Sequence, residues 1–500
     1  MKHSHDPVPD WARHGIAYEV FVDSFAVGKV SIDGKRDLYR DPVYDQEPFT
    51  LRWHETSDDY RRGHGFYGGD LAGITYAVDH YLNDLRVKIL YLTPIFKGAS
   101  NHKYDTLDYY AIDPQFGTLE DFHALVEACN RQGMKLILDG SFNHTSSEHE
   151  WMQKAVAGDP RYLDYYRRDE HGLIEHWEAA EHIPVLNHEN PEVRRYFYES
   201  DDSVLLYWLK QGAHGWRLDV AERLGETVLR NIRRQMKAHF PDALLAGEAV
   251  ETYGADWLKD GLLDATMNYV FKGITTNFFI GTLTGGQYME QLERIIREFP
   301  WEKLQACWNL VSSHDTNRML YDVGGDEALF KMAVVFQFTF PGIPMIYYGD
   351  ELGIEFGEKE ISNRTAMDWE SIEVHRKFNR GYRVAPMGWE KLDRYNSYHE
   401  FHRHMIRLRY HYQVLRDGLF LPVYADDTAI AYARVLEEKM ALVIANRGEG
   451  RTLSLTLPQE LLRPGATWKC EYGTDEPLKL DGPRLDFPAE AHNTYLFLTA

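Results

Sequence analysis

Cysteine is scarce in this 500-residue chain, and its three copies, Cys129, Cys307 and Cys470, lie far apart. They offer neither a disulfide framework nor paired metal-ligand spacing. Positive charge is in deficit too, with 55 Lys and Arg against 77 Asp and Glu and a formal net charge of −22. Such a chain repels polyanions, which makes nucleic acid and anionic membranes poor partners. No apolar run approaches a membrane span. The opening Met1-Lys2-His3-Ser4-His5-Asp6-Pro7 lacks the apolar stretch of a secretory leader, so a cytoplasmic location is the expectation. What the chain does have is 44% apolar residues, enough for a large core spread over two to four domains.

Apolar runs and helical patterns alternate. Strands are expected at 16–22, 87–93, 134–139, 215–219, 243–248, 264–270, 308–313 and 344–348. Helical spacing between most of them predicts the α/β class and a (β/α)8 TIM barrel. The clearest helix opens at Thr118 with an acid three residues on, keeps Phe122, Leu125, Val126 and Cys129 in register, and closes at Gly133. Two segments break the alternation. Residues 145–190 are too long for an ordinary βα loop and predict an inserted subdomain. A long amphipathic helix is expected from the capping box Ser397-x-x-Glu400 to about Gly418. Short alternating runs at 429–436, 440–446, 452–457, 468–472 and 494–499 then predict a C-terminal antiparallel β-sandwich. The expected division is barrel 1–144, insert 145–190, barrel 191–418 and sandwich 419–500.

Three acidic residues end expected strands. In Gly215-Trp216-Arg217-Leu218-Asp219, side chains two apart on a strand point the same way, so Arg217 adjoins Asp219. A fixed guanidinium keeps such a carboxylate ionised, which suits a nucleophile. Glu248 ends Leu244-Leu245-Ala246-Gly247-Glu248 and has no Arg two residues before it. Its pKa is therefore expected to be the higher of the two, which suits an acid. Asp315 ends a third run at Ser313-His314-Asp315. A barrel would bring all three to one face. Carboxylates about 5–5.5 Å apart carry out retaining glycoside hydrolysis. Asp315 could hold sugar hydroxyls, His144 and His314 could donate to them, and Tyr104 offers a flat face to a pyranose ring.

At these residues the chain resembles the α-amylase family of glycoside hydrolases. The resemblance rests on Asp139-Gly140-Ser141-Phe142-Asn143-His144, Gly215 to Asp219, Gly247-Glu248-Ala249 and Ser313-His314-Asp315-Thr316. Gly68-Gly69-Asp70-Leu71, Thr93-Pro94-Ile95-Phe96, Ser100 to Asp105 and Gly342 to Gly349 add to it. The pattern is most similar to the neopullulanase, cyclomaltodextrinase and maltogenic amylase branch. The resemblance implies Asp219 as nucleophile, Glu248 as acid/base and Asp315 as transition-state stabiliser. It places Arg217, His144, His314 and Tyr104 around the sugar, Asp139 as an orienting carboxylate, and Glu360 and Arg364 at the next sugar outward. The implied substrates are α-1,4-linked glucans: malto-oligosaccharides, cyclodextrins or starch. A glucanotransferase or isomerase would use the same covalent intermediate. A non-catalytic binding protein is the third alternative, although such relatives lose carboxylates that this chain keeps.

The departures carry expectations of their own. The branch usually has an N-terminal module that helps build a dimer, whereas this barrel begins near Ile16; a monomer, or a dimer through another surface, is expected. After the nucleophile the branch reads Val-Ala-Asn-Glu, and this chain reads Val220-Ala221-Glu222-Arg223 on the leaving-group side. Val185, in Ile183-Pro184-Val185-Leu186-Asn187, stands where a charge is usual. The branch's calcium loop is replaced by Phe25-Ala26-Val27-Gly28-Lys29-Val30-Ser31-Ile32-Asp33. Val27 and Ile32 bring no side-chain oxygen, and calcium needs about six to eight. No cofactor or metal is expected, with the Lys29 ammonium in the ion's place, paired with Asp70 or Asp33.

Overall fold

Each expected barrel strand is present, most of them trimmed at the ends. The strands are β1 (Ala17–Val20), β2 (Ile89–Leu92), β3 (Lys135–Gly140), β4 (Gly215–Leu218), β5 (Leu244–Gly247), β6 (Ala265–Thr266), β7 (Trp308–Asn309) and β8 (Ile343–Tyr347). The computed structural model describes residues 2–28, 49–50, 65–177, 180–355, 364–367, 369, 392–463, 467–480 and 482–499. The eight strands form one parallel sheet in the order β6-β5-β4-β3-β2-β1-β8-β7. A parallel bridge between Met267 and Trp308 joins its two edges, so the sheet closes into a TIM-type barrel. β6 is shorter than its apolar run because Asn268 caps a helix, Tyr269–Phe279, by accepting from Phe271 N.

Local signals explain the elements around the ring. Helix α1 (Leu119–Gln132) carries both halves of the Thr118–Asp121 capping box and ends at Gly133 with φ 64°, a left-handed conformation that glycine adopts without strain. Large aromatics fill the space between helices and sheet. Trp208 on α2 (Val204–Lys210) is fully buried. Its ring centroid lies 5.2 Å from both Phe96 and Phe122, and its indole N–H donates to Tyr109 O at 2.8 Å.

Between β3 and α2, the chain forms a helix (Glu150–Val156) and a small antiparallel pair, His176–Trp177 with Ala180–Pro184. A bridge from His144 to Val185 and the Leu186 N to Asn143 O bond, 2.9 Å, tie this segment to the barrel. Val185 is buried, so an apolar side chain suits its place.

The C-terminal region is an antiparallel sandwich. One sheet has the order β9-β10-β11-β15-β13, from Leu419–Ala425, Ala429–Leu436, Lys439–Asn446, Asn493–Thr499 and Trp468–Tyr472; the other pairs β12 (Arg451–Thr456) with β14 (Arg484–Ala489). Leu453, Leu455 and Phe487 of the small sheet share a core with Ala431, Leu442 and Ile444 of the large one. Two of its strands, β9 and β14, were not expected. Each contains a proline, which weakens the alternating signal. The preceding helix α3 (Leu392–His411) also corrects the sequence reading, since it already runs through Ser397. The Ser397 hydroxyl donates instead to Glu327 Oε1 at 2.6 Å. The fully buried Arg434 stitches sandwich to barrel, donating to Thr339 O at 2.6 Å and to Gly418 O at 2.6 and 2.9 Å.

Trp208→Ala should cost about 3–5 kcal/mol, because it empties a close-packed aromatic layer and strands the Tyr109 carbonyl. Urea unfolding would show a lower midpoint, with Trp208→Phe losing less.

Candidate active site

The barrel's strand register assembles the centre. Arg217 on β4 lies opposite Asp139 on β3 and Ala246 on β5, so Arg217 and Asp139 are cross-strand neighbours. Arg217 Nη1 donates to Asp139 at 2.8 and 3.0 Å and to Asp219 Oδ1 at 2.9 Å. Its Nη2 stands 2.9 Å from Glu248 Oε2. Asp219 and Glu248 directly follow β4 and β5, and Glu248 N donates to Leu218 O at 3.0 Å. Arg217 is fully buried, while Asp219 and Glu248 keep 7% and 6% exposure: two carboxyl groups at the rim rest on one guanidinium beneath them.

This geometry corrects the expected division of charge. The sequence pairs Arg217 with Asp219 alone; in the fold it also serves Glu248 and Asp139. Burial pushes the Asp219 carboxyl well above the usual range, the Glu248 charge adds to this, and Arg217 opposes it. Burial also raises Glu248, with Arg217 opposing and Asp315 adding. One guanidinium does not offset three buried carboxylates, so both rim carboxyls are displaced above their usual range.

Asp139 lies behind the site. It is 1% exposed and accepts from Arg217, from Tyr91 Oη at 2.5 Å and from Tyr104 Oη at 2.9 Å. These bonds tie it to Arg217, Tyr91 and Tyr104. Tyr104 is 9% exposed, and its hydroxyl also meets His314 Nε2 at 2.7 Å. His144 Nε2 is 3.9 Å from Asp219 Oδ2 and has no hydrogen-bond partner among the described residues. Burial lowers the His144 pKa to about 4, so the ring is neutral and presents an open valence beside Asp219.

His314 was expected to donate to sugar hydroxyls. Instead its ring is fully buried, with Nδ1 on Glu19 and Nε2 2.8 Å from Asp315 Oδ2. Burial disfavours the imidazolium, but Asp315 and Glu19 outweigh it and raise the pKa to about 10. Burial likewise pushes Asp315 up, and the His314 cation, its hydrogen bond and Arg364 more than reverse this, leaving the carboxyl below its usual range. Arg364 donates to Asp315 Oδ1 at 3.1 Å and to His314 O at 3.0 Å, so it buttresses Asp315. The Asp315 side chain is 39% exposed. Glu360 lies outside the described residues, as do Lys29 and Asp33. Asp70 accepts from Gly73 N at 2.7 Å as a helix cap. Among the described residues no group of three or more His, Cys, Asp or Glu side chains is placed to hold a metal.

Glu19 and Tyr91 escaped the sequence reading. The available signal was a polar side chain inside a short apolar strand, Ala17–Val20 or Ile89–Leu92; a buried carboxylate demands a partner.

Residues 19–417 match the family described as alpha amylase, catalytic domain. The chain belongs to the α-amylase family. Neopullulanase 2 of Thermoactinomyces vulgaris is 35% identical over 92% of this chain and 73% of its own. A cyclomaltodextrinase of Geobacillus thermopakistaniensis is 32% identical, over 88% of this chain and 70% of its own. Among solved structures, the ligand-free cyclic alpha-maltosyl-(1→6)-maltose hydrolase of Arthrobacter globiformis superposes with a TM-score of 0.78 at 28% identity, covering 98% of this chain and 100% of that one. The α-amylase-family barrel, the C-terminal sandwich and the clustered carboxylates thus agree with sequence kinship along most of the chain.

Glu19→Gln should lower the His314 pKa by about 1–2 units, since an imidazolium loses one of its two carboxylates. NMR titration of the ring would read it. His314 is raised above its ordinary value, so its contribution to stability is complete below pH of about 6.5 and is lost as pH rises through about 10. In the variant that loss should be complete at lower pH.

Proposed function

We propose that this protein is a retaining hydrolase of α-1,4-glucosidic bonds in malto-oligosaccharides, cyclodextrins or starch. The observation that carries this reading is the shared grip of Arg217 on Asp219 and Glu248 at adjacent strand ends. Family membership and the names of the relatives, neopullulanase and cyclomaltodextrinase, support it.

In this reading the rim pair holds one proton. Asp219, as the carboxylate, attacks the anomeric carbon while the proton passes from Glu248 to the departing glycosidic oxygen. The C–O bond breaks and a glycosyl ester forms on Asp219. Glu248, now a carboxylate, takes a proton from water; the water oxygen bonds to the anomeric carbon and Asp219 leaves. Asp315, ionised because His314 and Arg364 favour its charge, faces the cation-like transition state. His144 Nε2, beside Asp219 and without a hydrogen-bond partner among the described residues, is a donor for a hydroxyl of the same sugar. We further propose that Lys29 substitutes for the branch's calcium, its ammonium paired with Asp70 or Asp33, a reading supported by Val27 and Ile32, which bring no side-chain oxygen.

Asp219→Asn should lose at least about 1,000-fold in kcat with its melting temperature preserved. Proton NMR of the first product of the parent enzyme should show the α-anomer, and an initial β-anomer would refute retention. A product profile on maltotriose, β-cyclodextrin, pullulan and starch separates hydrolysis from transfer, since products longer than maltotriose report transfer.

Activity should follow a bell in pH. The acid limb reflects protonation of the second carboxyl; the basic limb reflects loss of the remaining proton, displaced above the ordinary carboxylate range by burial. Glu248→Gln should abolish the basic limb on substrates with good leaving groups. Thermal melts with EDTA and with calcium should coincide, and a rise of several degrees with calcium would count against Lys29 as its replacement.

A further inference from the structure

The two strand ends that carry Asp219 and Glu248 are fastened to each other by residues just beyond them. Glu222 sits in the first turn of the helix Ala221–His239, three residues after Asp219. Its Oε1 accepts from Val250 N at 3.0 Å and from Glu251 N at 2.9 Å. Its Oε2 accepts from Thr252 N at 2.8 Å and from the Thr252 hydroxyl. Residues 248–253 form no helix or strand, so these amides find their acceptor in one side chain. Nearby, Arg223 pairs with Glu251, and Val220 N donates to Glu248 Oε2 at 3.0 Å. Val220 takes φ 40° and ψ 46°, a strained conformation for a β-branched residue that surrounding contacts must enforce.

We infer that Glu222 is a positioning residue, clamping the loop that carries Glu248 onto the helix that follows Asp219 and so holding Glu248 at the leaving-group oxygen. This rests on the roles proposed above for Asp219 and Glu248. Asn, usual at this position in the resembled branch, has a single side-chain carbonyl oxygen on a shorter arm and cannot accept all four bonds in this way.

Glu222→Ala and Glu222→Gln would be assayed on maltotriose and on an aryl α-maltoside whose phenol departs without protonation. The clamp predicts a loss in kcat of about 10- to 100-fold for Glu222→Ala on maltotriose. KM should move far less, and kcat/KM on the aryl substrate, which reports only formation of the glycosyl ester, should be nearly unaffected. The basic limb should shift to lower pH, because water reaching Glu248 relieves the burial that raises it. Glu222→Gln, which keeps the shape and one acceptor oxygen, should fall between, and carries the test if the alanine variant does not fold. Equal losses of kcat/KM on both substrates, an unmoved basic limb, or activity matching the parent would overturn the clamp. A parent inactive on both substrates, or a fully active Asp219→Asn, would overturn the underlying reading and the clamp with it.

Discussion

One guanidinium organises the centre of this molecule. Arg217 is sealed from solvent and contacts Asp139, Asp219 and Glu248. Burying three carboxylates together is prohibitive unless cations and hydrogen bonds compensate them. Arg217 supplies the cation and the Tyr91 and Tyr104 hydroxyls supply hydrogen bonds to Asp139. Compensation is incomplete, and burial therefore raises both rim carboxyls above their usual range.

A second cation sets the opposite condition a few residues away. His314, wedged between Glu19 and Asp315, is held as an imidazolium, and with Arg364 it keeps Asp315 ionised. The three acidic side chains thus divide into a pair whose carboxyls are raised and a third that is held below its usual range. Their own chemistry does not separate them; the neighbours do.

Much of the fold was readable from local pattern. Apolar runs located all eight barrel strands, and the Thr118 capping box with Gly133 marked both ends of one helix, since both signals act over a few residues. The reading faltered where long-range contact overrides local preference. Ser397 looked like a helix start, yet it lies within a helix and bonds to Glu327, 70 residues away. β9 and β14 carry prolines that hide their alternation. At the site, Asp219, Glu248 and Asp315 were found as acids ending apolar runs. Glu19 was not, because its partner His314 is 295 residues distant.

By itself, then, the sequence determined the strand and helix sequence of the barrel, the family, and which carboxylates stand at strand ends, because periodicity, caps and short motifs are local properties of the chain. Only the tertiary structure decided how charge is shared among them. Register places Arg217 opposite Asp139 and Ala246, and barrel closure brings β1 to β8, with Glu19 reaching His314 just beyond β7. The electrostatic energies that set each proton depend on distance and burial in three dimensions, and neither is written in the spacing of residues along the chain.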